Sequence, residues 1–186
     1  MKQFLVINYN TPEFVEKLIM SINKFTSDAH ITIFDNSDKL PFVNTMFSNV
    51  GIIDNTKGQI INFKEFLNNY PKRIYSSAKA NNYASAKHCY TIQKCIDMID
   101  ENFILLDSDV LIRRDVSELF DNRYVYVGEV LKQGNGKKRV APFLCYINVQ
   151  MCKQNNIRYF DERFMHGLST GYVDSFDTGA GFYINC

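Results

Sequence analysis

Four short strand-like runs lie in the first 110 residues, and each stops at an amide or an acid. Residues 4–7 give way to Asn8, 31–34 to Asp35, 50–53 to Asp54, and 103–106 to Asp107. Continuous apolar runs of this length are the pattern of strands covered on both faces, as in a parallel sheet. Between the first two, Thr11 and Pro12 have the residue types of an N-cap and first helical position. Phe14, Val15, Leu18, Ile19 and Ile22 then recur at spacings of three and four, predicting a helix with one apolar face. Strand, helix and strand within 35 residues make a βαβ unit, whose right-handed crossover lays the strands parallel. In an open α/β sheet, ligands bind in the crevice outside the carboxyl ends of the strands. The row of Asn and Asp therefore marks where a polar ligand would sit.

The spacing predicts two further helices in this half. One runs from about 63 to 68, with Asn62 and Glu65 at capping-box spacing; the other covers 81–99, with Cys89, Ile92, Ile96 and Ile99 on one face. Beyond residue 110 the pattern changes. Residues 124–130 and 140–147 read as strands joined by 132–139, whose Gly134-Asn135-Gly136 centre signals a tight turn. Asn148 is placed to cap a short helix reaching residue 155. The expectation is one α/β domain over 1–186, with a mostly parallel central sheet flanked by helices. Its nucleotide-binding half is 1–110 and its acceptor-side half 111–186. The run 180–184 precedes the last residue, Cys186, so that either the sheet closes there or the chain is cut short.

Charge and cysteine usage remove several function classes. The 21 Lys and Arg against 20 Asp and Glu leave a net charge of +1, with no basic field to attract nucleic acid. The five cysteines form neither a CxxC pair nor a Cys/His cluster, so they predict small core residues rather than a zinc site or disulfide framework. The N-terminal apolar run is too short for a signal peptide, and no later run approaches a membrane span. A cytoplasmic protein is expected, with Lys137, Lys138 and Arg139 as a solvated hairpin tip or a peripheral contact with anionic lipid.

The tripeptide with the clearest chemical use is Asp107-Ser108-Asp109. Alternate residues of an extended strand project to one side, so the two carboxylates would converge. Magnesium and similar hard cations are held by one or two carboxylates, with substrate phosphates completing the shell. Asp after a strand also caps turns, but this motif follows a buried run and shares a sheet edge with Asn8, Asn10 and Asp35.

Four segments in this order resemble a family-2-type glycosyltransferase with the GT-A (nucleotide-diphospho-sugar transferase) fold. VINYNTPEFVEKLIMSI resembles the family's opening strand and helix, and ITIFDNSD its second strand. NNYASAKHCYTIQKCID, followed by FILLDSDVLIRRDVSELF, resembles the helix that leads into the DxD strand. The resemblance covers residues 4–120. It implies transfer of a hexose from a nucleoside-diphosphate sugar, UDP first among donors, to the hydroxyl of a glycan or lipid-linked acceptor, as in polysaccharide biosynthesis. Mn2+ or Mg2+ would assist. Asn8 and Tyr9 would line the base pocket beside Asn10, Asp35 would contact base or ribose, and Lys87 the diphosphate. Asp107 and Ser108 would meet the donor, with Asp107 and Asp109 as metal ligands and His166 a further candidate. His88 stands beside Lys87 where the family often carries Arg-Asn.

Inverting transfer needs a carboxylate to deprotonate the acceptor. Asp161-Glu162 in YFDERF, Asp174, and Asp177 at the head of DTGAG are the candidates, with Asp177 placed first and Asp161 as its alternative; the family's usual Glu-Asp pair is absent as such. Two other readings stay open: a non-catalytic nucleotide- or sugar-binding module of the same fold, and a haloacid-dehalogenase-type phosphatase. The second fits less well, because Val110-Leu111 stand where such enzymes carry Gly-Thr.

Overall fold

The computed structural model describes residues 1–58, 76–132 and 138–159, together with 179, 182, 183 and 186, and side chains in the second segment from residue 87 onward. The predicted helix near 63–68 and the Gly134-Asn135-Gly136 turn lie outside these residues. Six strands form one sheet in the order β3-β2-β1-β4-β6-β5. They are β1 (Lys2–Asn8), β2 (Ala29–Asp35), β3 (Val50–Asp54), β4 (Phe103–Asp107), β5 (Tyr126–Lys132) and β6 (Lys138–Ile147). β1 pairs parallel with both β2 and β4, and β2 pairs parallel with β3. β6 runs antiparallel to β4. The sheet is thus mixed and mostly parallel, as the run pattern predicts.

Two compact units divide the chain, and they interleave in sequence. The first comprises Met1–Gly58, Ile99–Glu129 and Pro142–Met151. Its centre is β1, whose two edges are paired with β2 and β4 and whose Phe4, Leu5 and Val6 are fully buried, Phe4 and Val6 in the main apolar cluster. Helix α1 (Pro12–Phe25) packs Val15, Leu18, Ile19 and Ile22 into the same apolar cluster as Val6, Ile33 and Leu106. Burial of four such side chains contributes about 2 kcal/mol each. Glu13 in its first turn and Lys24 in its last complement the helix dipole. Phe14 departs from expectation: it is 50% exposed. Its position is at the margin of the 3.6-residue stripe, and Lys17 lies 5.8 Å over its ring.

The second unit comprises Gln59–Met98, Val130–Ala141 and Cys152–Cys186. Helix α2 (Ser76–Met98) buries Ile92 and Ile96 of the predicted face together with Cys95, while Cys89 is half-buried and Ile99 falls just past the helix end. Buried Gln93 accepts the Tyr159 amide on Oε1 at 2.6 Å and donates Nε2 to Asp97 at 2.8 Å. The Tyr159 ring stacks on Phe182 at 4.8 Å. Helix α3 (Val149–Gln154) begins in the first unit, after Asn148, whose Oδ1 accepts the Met151 amide at 3.0 Å. This N3 contact is the cap the sequence predicts.

Candidate functional site

Parallel register brings the strand-end polar residues level with one another. Asn8 pairs with Asp35, Asp35 with Asp54, and Asp107 with Ile7, one residue short of Asn8. The carboxyl edge of β3-β2-β1-β4 is therefore a continuous polar row.

Asn8 is the hub of that row and is fully buried. Its Nδ2 donates to Asp35 Oδ1 at 3.1 Å and to Ser37 Oγ at 3.0 Å. Its Oδ1 accepts from the Thr11 amide at 3.2 Å and the Thr11 hydroxyl at 3.1 Å. Both donors and both acceptor positions of the amide are thus used inside the protein. Thr11 is the N-cap residue of α1 and Pro12 follows at its start, as expected, but the Thr11 side chain makes no cap bond. Its hydroxyl turns instead toward Asn8 and Ser108, meeting Ser108 Oγ at 2.9 Å. That last contact ties the start of α1 to the Asp107-Ser108-Asp109 segment.

Asp35, 1% exposed, is equally engaged. Oδ1 also accepts the Ser37 amide at 2.9 Å, and Oδ2 accepts the Phe42 amide at 2.6 Å. Asn10 adopts a left-handed backbone, φ 58°, which Asn tolerates better than most residues. Its Oδ1 accepts the Lys39 and Leu40 amides, both at 2.9 Å, and its Nδ2 donates to Asp38 at 2.6 Å. The Asn10 amide reaches Ser37 Oγ at 2.8 Å. The bond from Asn10, more than the neighbouring charges, holds the exposed Asp38 carboxyl below the usual range. Ser37 and Thr11 were missed as members of this network by sequence reasoning. The one signal for Ser37 is the Asp-Asn-Ser-Asp run after β2, a composition that favours side-chain-to-backbone turns.

At Asp107 the strand stops and the backbone turns, the Val110 amide donating to the Asp107 carbonyl at 3.2 Å. The extended-strand reason for convergence of Asp107 and Asp109 is replaced by this turn. Asp107 and Ser108 are half-buried, whereas Asp109 is exposed. Among the described residues, no group of three or more His, Cys, Asp or Glu is assembled to hold a metal. Two carboxylates on one turn are still the donor set a hard cation uses when phosphates fill the rest of its shell.

Other expected residues belong to the second unit or lie outside the described residues. Lys87 and His88 are half-buried on α2 in the second unit, where the Lys87 carbonyl accepts the Thr91 hydroxyl at 2.9 Å. Asp161, His166 and Asp177 lie outside the described residues. Lys138 is exposed at the start of β6, with Nζ 6.0 Å over the Tyr183 ring. Cys95, Cys145 and Cys152 are buried, as expected of core cysteines, and burial pushes the Cys152 thiol up to about 12.

No family model and no curated protein matches the chain. Solved structures do. A galactosyltransferase, LgtC, in complex with donor and acceptor sugar analogues, superposes with a TM-score of 0.60 at 13% identity. The match covers 98% of this chain and 69% of that one. An active-site mutant of LgtC gives a TM-score of 0.55 at 14% identity, with the same coverage. The fold is GT-A. In this GT-A chain the Asn8 network and the Asp107-Ser108-Asp109 turn share the carboxyl edge of β1 and β4, joined through Thr11 and Ser108. Among the described residues, no helix is long and apolar enough to cross a membrane.

Proposed function

We propose that this chain is a glycosyltransferase that moves a hexose from a nucleoside-diphosphate sugar, with UDP as nucleotide, to the hydroxyl of a glycan or lipid-linked acceptor. The observation that carries the reading is the Asp107-Ser108-Asp109 turn at the carboxyl edge of a GT-A sheet, level with Asn8 and Asp35. In the reaction the bond from sugar C1 to the diphosphate oxygen breaks, a bond to the acceptor oxygen forms, and the acceptor proton passes to a base. Asp177 is the proposed base, with Asp161 the alternative. Tyr9, Asp107 and Ser108 would face the donor, Lys87 its diphosphate, and Asn8, Asn10 and Asp35 would shape the nucleotide side of the site.

Asp107 and Asp109 would hold Mn2+ or Mg2+, and His166 is the further proposed ligand. When bound, such a cation supplies charge neutralisation at the diphosphate leaving group. Proximity of the two sugars would supply much of the remaining rate. Family-2 membership, a role in polysaccharide biosynthesis and a cytoplasmic setting with peripheral membrane contact belong to this proposal and rest on the motif order and composition.

The test is calorimetric titration of UDP into the protein with manganese and with chelator, repeated on Asp109→Asn, followed by turnover of UDP-sugars. Metal-dependent binding that weakens at least about tenfold in the variant supports the reading. Binding without donor cleavage across a panel of acceptors would favour the non-catalytic module. Silence toward UDP, GDP and other diphosphates would reject the transferase.

A further inference from the structure

Asp35 has the sequence position of a donor-contacting acid, yet its carboxylate faces the protein. Three donors already occupy it: Asn8 Nδ2, the Ser37 amide and the Phe42 amide. With 1% of the residue exposed, a ribose hydroxyl or base edge reaches those oxygens only by displacing one of the three. The shortest, from Phe42 at 2.6 Å, is a charge-assisted bond across seven residues and closes the segment 35–42 into a loop. Asn10 grips the same segment from the other side through the Lys39 and Leu40 amides. Ser37 Oγ joins the two grips by accepting from Asn8 Nδ2 and the Asn10 amide.

We infer that Asp35 and Asn10 are positioning residues, which fix the 36–42 segment as a preformed rim of the nucleotide pocket and act on the donor through it. This rests on the transferase reading for the identity of the donor, but the clamp itself does not. A preformed rim removes the ordering cost that a free loop would add to each binding event. At this corner Tyr9 is half-exposed and Asp38 exposed, whereas the Asp35 carboxylate is not.

The test compares wild type, Asp35→Asn and Asn10→Gly by amide exchange without nucleotide, and by calorimetry in the presence of manganese with UDP, CDP and 2′-deoxy-UDP. Asn10→Gly keeps the left-handed backbone and leaves the buried Asn8–Asp35 pair intact, so it reports even where Asp35→Asn folds poorly. Exchange should quicken at the Ser37 and Phe42 amides in the first variant and at Lys39 and Leu40 in the second, by about tenfold or more. Affinity should fall by one common factor for all three nucleotides. Unchanged exchange in either variant overturns the positioning role, and a selective loss of the preference for uracil or for the 2′-hydroxyl in Asp35→Asn overturns it by making Asp35 a direct contact. Silence of the wild-type protein toward every nucleotide overturns the donor reading and this role with it; the exchange data alone then report on the clamp.

Discussion

Asn8 and Asp35 stand opposite each other on β1 and β2, and the Asn8 amide donates to the Asp35 carboxylate at 3.1 Å in a fully buried pair. Neutral against charged is essential to that contact. A second carboxylate at position 8 would face the first at hydrogen-bond distance, and at neutral pH two such charges repel.

Asn8→Asp should therefore destabilise the protein by about 3 kcal/mol at pH 7, the scale seen when a buried charge loses its partner. Repulsion between the two carboxylates would favour a proton shared between them in the folded variant. Its stability deficit should shrink as pH falls toward about 4.5 and reopen as pH rises. Urea unfolding at several pH values reads this directly; a deficit independent of pH would exclude charge repulsion as its source.

Two neighbouring positions of α1 should respond oppositely to truncation. Leu18 is fully buried in the cluster with Val6 and Ile33, and Leu18→Ala should cost about 3 kcal/mol. Phe14, half exposed, should tolerate Phe14→Ser within about 0.5 kcal/mol. Equilibrium unfolding of the pair checks the orientation of the helix.

Gly179 sits at φ +87°, and a Cβ there would lie 2.3 Å from the Val140 carbonyl oxygen. The obstacle is backbone, and the same conformation lets the Gly179 carbonyl accept the Val140 amide at 3.3 Å. Gly179→Ala should cost about 2 kcal/mol or more, read as a lower urea midpoint with an unchanged slope.

Arg123 donates from Nε and Nη2 to the Asp121 carboxylate, with bonds of 2.6 to 3.2 Å, and lowers its pKa to about 2. The folded value lies below the unfolded one, so the contribution to stability is present above about pH 4 and fades as pH falls through about 2. Arg123→Ala should move the Asp121 titration upward toward 3.8 while the residue-123 amide keeps part of the shift. Carboxyl carbon shifts followed by NMR give the answer.

The parts legible in the sequence were those set by neighbours along the chain. Uninterrupted runs placed β1, β2, β3 and β4, and spacings of three and four placed α1 and α2, because burial selects residues at the period of each element. The crossover rule then made the first strands parallel, which lined up Asn8, Asp35 and Asp107 on one edge. What local pattern does not encode is where a polar side chain finds its partner. The Thr11 hydroxyl met Ser108, 97 residues away, instead of capping its helix, and Asp35 turned inward to Asn8, Ser37 and Phe42. The Asp107–Asp109 backbone broke into a turn instead of continuing as a strand. Residue type determined that this edge would be polar; only the tertiary structure decided which of its groups face the protein, since a buried donor or acceptor takes whichever partner the packing brings within about 3 Å.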